Sequence, residues 1–310
     1  MNCLDLFSGI GGFSLGMKHA GVDIDHHFNS DIDTYANAVY KYNFKNSKHV
    51  GSVTDVQGKR LPKIDIITFG SPCQDFSMAG KRSGMEGERS SLITEAIRLI
   101  RECRPSIFVW ENVKGTFSSN DGKDFWAILQ EFTNIGGYRL EWQLLNTKWL
   151  LPQNRERLYL VGHLGGGDTK EVFPITKDDT RDHEVKFQGK KTKGRKQRVV
   201  NNKGRGRHTM YRVGDFRYDE GFRVREDGNA PTQLSQFGAL SGKTLVERKS
   251  TLRRLTPIEC ERLQGFPDDW TKFGDFDGDI REISDTQRYK QCGNAVTVDV
   301  VQTIFKKIFG

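Results

Sequence analysis

The strongest constraint in the sequence is an alternation. Through residues 2–161, short apolar runs rich in β-branched side chains take turns with segments of helical spacing. Residues 2–6, 24–29, 64–70, 107–110, 140–145 and 158–161 read as strands. Residues 13–19, 34–42, 92–103 and 125–132 read as helices; in the third, Leu92, Ile93, Ala96, Ile97 and Ile100 share one face. Strands that alternate with helices predict an α/β fold with a doubly wound, mostly parallel sheet. On such sheets ligands bind beyond the carboxyl ends of the strands. A last amphipathic segment, 296–309, carries Val296, Val300, Val301, Ile304, Phe305 and Ile308 on one side and is expected to pack on the sheet.

Charge divides the chain. Residues 1–164 hold 19 basic and 18 acidic side chains, and residues 251–310 hold 9 and 10. The net charge of +8 over 310 residues therefore lies in 165–250, with 20 basic and 12 acidic groups. Within it, 184–212 carries eleven Lys/Arg, one acid (Glu184) and several glycines. Such a stretch reads either as a solvated basic loop or as a surface that tracks phosphates by releasing counterions. No apolar run approaches the ~20 residues of a membrane span. The start, Met1-Asn2-Cys3-Leu4-Asp5, lacks the basic and apolar regions of a secretory signal. The five cysteines are widely spaced with no CxxC, which argues against a disulfide framework or a cysteine-rich metal site and for a reducing compartment.

Four motifs follow predicted strands. Asp5-Leu6-Phe7-Ser8-Gly9-Ile10-Gly11-Gly12-Phe13 is a glycine-rich turn that lets backbone approach a nucleotide. Asp31, 20 residues past Gly11, is placed to take ribose hydroxyls, although Ser14 stands where a dinucleotide fingerprint has its last glycine. Gly70-Ser71-Pro72-Cys73-Gln74-Asp75-Phe76-Ser77 puts a cysteine at a strand-to-loop corner, either a nucleophile or a small buried hydrophobe. Trp110-Glu111-Asn112-Val113 ends the next strand, so Glu111 is expected to face Cys73 and to act on a ring nitrogen, or else to serve as a surface acid. In Pro152-Gln153-Asn154-Arg155-Glu156-Arg157 the two arginines are expected to point in different directions, one into the pocket and one to a phosphate or scaffold group.

Together, and in this order, these stretches resemble the cytosine-C5 DNA methyltransferase family of the bacterial and phage restriction-modification type. The resemblance continues through Arg254-Leu255-Thr256-Pro257-Ile258-Glu259-Cys260-Glu261-Arg262-Leu263-Gln264-Gly265-Phe266-Pro267 and Gly293-Asn294-Ala295-Val296. It implies a methyltransferase sheet (1–164), a smaller inserted target-recognition domain (165–285) and a C-terminal segment (286–310) that returns to the first. It also implies S-adenosylmethionine as cofactor, S-adenosylhomocysteine as product and a cytosine flipped out of duplex DNA as substrate. Cys73 matches the nucleophile that adds to C6, Glu111 the carboxyl at N3 and N4, Arg157 the arginine on O2, and Arg155 its neighbour beside nucleophile and backbone. Phe7 matches the residue stacked on the adenine; Asp5, Gly9, Gly11, Asp31, Pro72, Asn294 and Val296 match the remaining cofactor set. Arg223, Arg225 and Thr232 resemble the less variable core of the recognition region, and Lys190, Lys191 and Arg195 belong to its basic run. No metal is implied.

The chain departs from the family pattern at Ser71, at Gly51-Ser52-Val53 where Gly-Asp-Ile is common (with Asp55 as a replacement acid), at Ile32, and at Gln233 after Thr232. The resemblance further implies a cytoplasmic, nucleoid-associated monomer, with a restriction endonuclease as a separate partner and no membrane contact. Against it stand an RNA-methylating branch of the same family, a catalytically inactive DNA-binding relative, and a nicotinamide-dependent oxidoreductase built on the glycine-rich turn. The basic insert favours DNA over RNA, and the intact Cys73, Glu111 and Arg157 favour an enzyme.

Overall fold

A computed structural model describes residues 1–72, 91–165, 170–180, 212–217, 221–233, 244–248 and 251–310. The first half forms β1 (Asn2–Leu6), α1 (Gly12–His19), β2 (His26–Ser30), α2 (Thr34–Asn43), β3 (Ser47–His49), β4 (Ile66–Phe69), α3 (Ser91–Cys103) and β5 (Ile107–Val113). It continues through α4 (Lys114–Ser118), α5 (Lys123–Thr133), β6 (Tyr138–Asn146), β7 (Gln153–Asn154) and β8 (Glu156–Leu164). Seven of these strands make one sheet in the order β3-β2-β1-β4-β5-β8-β6. Neighbours pair in parallel except at β8, which runs antiparallel to both β5 and β6. The chain winds outward from β1 to β3 and then returns to β4 on the other side of β1. That reversal opens a crevice beyond β1 and β4, where a doubly wound sheet takes its ligand.

The period-2 alternation of strands sorts side chains into two cores. On one face Leu4, Leu6, Ile67, Phe69, Phe108 and Trp110 pack under α3 and α5 through Ile97, Ile100, Phe125 and Phe132. On the other, Cys3, Ile66, Val109, Tyr159 and Val161 meet Phe13 and Met17 of α1 and Val301, Ile304 and Phe305 of α8 (Val298–Phe309). The expected C-terminal helix is therefore present, and it lies on α1. Gly16 permits this approach, because a Cβ there would stand 2.5 Å from Val301 Cγ1.

The second half adds β9 (Arg212–Arg217), β10 (Gly221–Val224), β11 (Ala230–Pro231), β12 (Thr244–Arg248) and β13 (Thr251–Arg254). Four of them form an antiparallel sheet in the order β10-β9-β12-β13, while β11 pairs in parallel with β7. Next come α6 (Pro257–Leu263), β14 (Phe273–Phe276), β15 (Asp279–Glu282) and α7 (Asp285–Asn294). Thr256 and Glu259 form a reciprocal cap at the start of α6, with Pro257 in its first turn. The β14–β15 hairpin sits on α2, with Phe273 against Tyr42 and Phe276 against Tyr35 (ring centroids 5.8 Å apart in each pair). Trp270 adds an indole N–H to the Ile10 carbonyl at 2.9 Å. This stretch therefore leans on α2 and on the turn that follows β1.

Replacing Gly16 by Ala should test the α1–α8 seam. The helix-propensity gain of about 1 kcal/mol is outweighed by overpacking against Val301, typically ~1–3 kcal/mol. We expect a net loss of stability in urea unfolding; an unchanged or raised midpoint would refute the seam.

Candidate active site

The site grows from an overhang. β4 stops at Phe69, opposite Trp110, whereas β5 runs on to Val113 with β8 as its partner. Glu111 therefore lies inside a strand and not just after one, because the pairs Glu111↔Tyr159, Asn112↔Leu158 and Val113↔Arg157 prolong it. Same-face residues on adjoining strands reach each other. Arg157 Nε stands 3.1 Å from Glu111 Oε1, and both side chains are largely buried. Arg157 also donates through Nη1 to the Glu156 carbonyl at 2.8 Å. The other carboxylate oxygen faces the end of β4: a Cβ on Gly70 would lie 3.1 Å from Glu111 Oε2. Glycine at 70 is what admits the carboxylate there. Pro72 follows, exposed at the lip. Cys73, like Lys190, Lys191 and Arg195, lies outside the described residues.

Arg155 takes another direction. In a regular strand residues two apart share a face, so the expected divergence from Arg157 is not a property of extended chain. It arises because Arg155 falls between β7 and β8 and belongs to neither. Its guanidinium is buried and donates to the carbonyls of Gly293 (3.3 Å) and Ala295 (2.8 Å). Burial, and secondarily the charge of Arg157, pull its pKa down to about 10, so it stays protonated at neutral pH. Arg155 thus ties the strand leading to Arg157 to the end of α7. Asn294 is exposed between the two carbonyls, and Val296 is packed on α1, where a Cβ at Gly12 would meet Val296 Cγ1 at 2.6 Å.

The glycine-rich turn occupies the other side of the crevice. Phe7, Gly9 and Gly11 all have positive φ (50°, 52° and 86°), a region costly for phenylalanine. Asp31 anchors the turn: Oδ2 accepts the Gly9 N–H at 2.8 Å and Oδ1 the Asp33 N–H at 2.9 Å. Burial raises its pKa, and these backbone donors oppose the rise. Each carboxylate oxygen keeps a lone pair for a hydroxyl. Ser8 Oγ is buried with no partner among the described residues, and open space surrounds the Gly9 α-carbon. Ile32 is 82 % exposed beside this crevice, and Asp55 is exposed in the turn after Gly51. A turn with free polar capacity, open space at Gly9 and the Phe7 ring suits a nucleoside with a polar tail.

Asp5 points elsewhere. It is fully buried beneath α1, and its carboxyl accepts from Thr68 Oγ1 (2.8 Å), Ser14 Oγ (3.0 Å) and Tyr40 OH (3.2 Å). Ser14, at the missing-glycine position, thus uses its side chain. Ser14 Oγ and Tyr40 OH also lie 2.6 Å apart, and His27 Nε2 stands 2.9 Å from the first and 2.6 Å from the second, so the imidazole closes one hydrogen-bonded cluster with Asp5. Sequence pattern does not single out Ser14, Tyr40 and His27 as a group, because they come from three elements.

The segment around Thr232 is fastened to the body. Thr232 Oγ1 donates to the Asn154 carbonyl (2.9 Å), the Ala230 N–H to the Pro152 carbonyl (2.9 Å) and Gln233 Nε2 to the Cys260 carbonyl (3.3 Å). The Arg225 guanidinium lies 3.3 Å from Asp227, and the Arg223 backbone stands opposite Asp215 in the β9–β10 register. Among the described residues no cluster of three or more His, Cys, Asp and Glu could hold a metal, and no helix is long and apolar enough to cross a membrane.

Burial gives the inner network a pH signature. It pushes Asp5 up to about 7 against its three hydroxyl donors, and it pulls His27 down from 6.5 to about 4. The Asp5 contribution to stability is lost as pH rises from about 4 to 7; the His27 contribution is lost as pH falls from about 6.5 to 4. The two oppose each other in that window. His27→Gln removes one side. Relative to the parent, the variant should gain about 1.4 kcal/mol per pH unit as pH falls from 6.5 towards 4, measured by urea unfolding. A pH-independent difference would show that His27 is not held neutral.

Comparison with known proteins gives a consistent result. The family model described as C-5 cytosine-specific DNA methylase matches residues 1–310. The Type II methyltransferase M1.ScrFI of Lactococcus lactis subsp. cremoris is 33% identical, over 98% of this chain and 77% of its own length. The Type II methyltransferase M.HhaI of Haemophilus parahaemolyticus is 31% identical, over 97% and 92%. Among solved structures, the Dnmt2 methyltransferase of S. pombe superposes with a TM-score of 0.69 at 19% identity, covering 99% of this chain and 97% of that one, a likeness of fold.

Proposed function

Because the chain belongs to the family of C-5 cytosine-specific DNA methylases, we propose a division of labour among its residues in that reaction. The protein is an S-adenosylmethionine-dependent DNA (cytosine-5)-methyltransferase. The observation that carries the assignment of roles is the Glu111–Arg157 pair set beside Gly70 at the end of β4.

A cytosine stacked in duplex DNA is out of reach, so it is extruded into the crevice. Glu111 meets N3 and N4, and Arg157, already oriented by Glu111, takes O2. The Cys73 thiolate adds to C6, a carbon–sulfur bond forms, and the ring electrons shift towards C5 while Glu111 holds the proton at N3. C5 is then nucleophilic enough to accept a methyl group. Loss of the C5 proton returns electrons to the ring and expels Cys73. S-adenosylmethionine supplies the electrophilic methyl when bound and leaves as S-adenosylhomocysteine. Phe7, Gly9, Gly11 and Asp31 would hold it, with Pro72, Asn294 and Val296 at the rim and Asp5 bracing the turn from below.

DNA recognition belongs, on this reading, to the inserted region 165–285, with 286–310 returning to the catalytic body. The separate antiparallel sheet of β9, β10, β12 and β13 supports this division, and the basic run with Lys190, Lys191 and Arg195 supplies phosphate contacts. Arg223, Arg225 and Thr232 belong to the same DNA-binding set. The enzyme works as a monomer in the cytoplasm on nucleoid DNA. It acts either beside a separately acting restriction endonuclease or as a solitary methyltransferase.

Wild-type protein should form a covalent adduct on 5-fluorocytosine duplex DNA, and Cys73→Ala should form none and transfer no labelled methyl. Methyl transfer by Cys73→Ala, or transfer to tRNA with none to DNA, would overturn the assignment. Glu111→Gln should lower kcat by about 10²–10³-fold. Neutralising Lys190, Lys191 and Arg195 together should weaken DNA binding across sequences. It should also flatten the log–log salt slope by about 0.9 for each phosphate that the protein ceases to neutralise.

A further inference from the structure

Ser71 departs from the residue types usual before the Pro-Cys pair, and nothing in the reaction above uses it. Its surroundings are nevertheless built. The side chain is 6% exposed. Its Oγ accepts the indole N–H of Trp110 at 3.0 Å and an amide N–H of Asn112 at 3.3 Å. The same Asn112 amide nitrogen lies 3.4 Å from the Ser71 carbonyl. The orientation of that amide is fixed, because Asn112 Oδ1 already accepts from the Val113 N–H (2.8 Å) and the Thr116 hydroxyl (3.0 Å). Trp110 is fully buried, so Ser71 supplies the acceptor that its N–H needs. The two donors are the residues on either side of Glu111.

We infer that Ser71 is a positioning residue for methyl transfer: its hydroxyl, gripped by Trp110 and Asn112, fixes the exit of the chain from β4 relative to Glu111. This rests on the reading of Cys73 and Glu111 given above. The lever is short and stiff. A residue before proline is confined to extended conformations, and Pro72 has its own φ locked. An anchor at Ser71 therefore fixes the chain as far as Pro72, the residue that precedes Cys73. Reactive groups misplaced by about 1 Å lose on the order of 10² in rate.

The test compares Ser71→Ala, Ser71→Thr, Trp110→Phe and the double variant Ser71→Ala/Trp110→Phe with the parent protein. The substrates are long unmethylated duplex DNA and S-adenosylmethionine. Ser71→Ala is expected to fold, to bind S-adenosylmethionine as the parent does in calorimetry, and to lose about 10–100-fold in kcat with both KM values within about twofold. Adduct formation on 5-fluorocytosine DNA should slow in parallel. Ser71→Thr keeps the hydroxyl and should recover most of the rate. Trp110→Phe should show the same kcat defect, and the double variant should be no worse than the worse single variant, since both break one interaction. An undiminished kcat in Ser71→Ala overturns the inference. So do additive losses in the double variant, or a defect confined to KM and melting temperature. Retained transfer by Cys73→Ala sinks the underlying reading instead, so the two failures are distinguishable. Should Ser71→Ala not fold, Trp110→Phe and Ser71→Thr carry the same comparison.

Discussion

One strand running against its neighbours makes the site. β8 is antiparallel to β5, so the start of β8 lies against the end of β5. A parallel β8 would deliver Arg157 to the opposite edge of the sheet, about 20 Å away for a strand of this length. Antiparallel pairing instead sets Glu111 and Arg157 on one lip, with neither requiring a long loop to hold it. The pair is also sheltered enough for its Coulomb attraction to matter more than at an open surface. Arg157 thereby offers its remaining N–H groups in a fixed direction, and the second Glu111 oxygen stays turned towards the end of β4.

Several other polar groups are buried at a cost, and each of them joins two or more elements. Arg155 links the β7–β8 break to α7. Glu261 of α6 is fully buried and accepts the backbone N–H of Asp269 and of Thr271 at 2.9 Å each, and Arg288 of α7 at 3.0 Å. Asp5 gathers Ser14, Tyr40 and Thr68 from three elements. Apolar replacements could fill such volumes at similar stability. What they could not do is hold α1, α2, α6 and α7 in a single mutual arrangement around the crevice. Desolvation of these groups is thus spent on geometry.

Much of this architecture is legible in the sequence, for identifiable reasons. Parallel strands buried on both faces leave unbroken apolar runs, such as Ile66-Ile67, and helices leave a 3.6-residue rhythm, so the core sheet and its helices are readable. Strand direction leaves no trace in composition, so the reversal of β8 is invisible there. Glu111 is expected past the end of its strand because its polar side chain breaks the apolar run; its partner in the prolonged strand, Tyr159, comes from 48 residues further on. The β14–β15 hairpin escapes notice because its exposed strand, Asp279–Glu282, has little apolar content. Asp5 stands in a motif that approaches a nucleotide, and no pattern tells which residues of such a motif work through backbone and which through side chain.

The parallel bridge between β7 and β11 has a bearing on how such proteins diversify. It is only two residues long, yet it fastens Ala230 and Pro231 to the segment immediately before Arg155. One of its hydrogen bonds, the Ala230 N–H on the Pro152 carbonyl, is indifferent to side chain; the next, from the Thr232 hydroxyl to the Asn154 carbonyl, is not. A transplanted insert that lacks a hydroxyl at this position would dock by backbone alone. On the proposed division of the chain, the bridge is thus a fixed socket whose fit depends on one hydroxyl, while its other bond tolerates any residue with a backbone N–H.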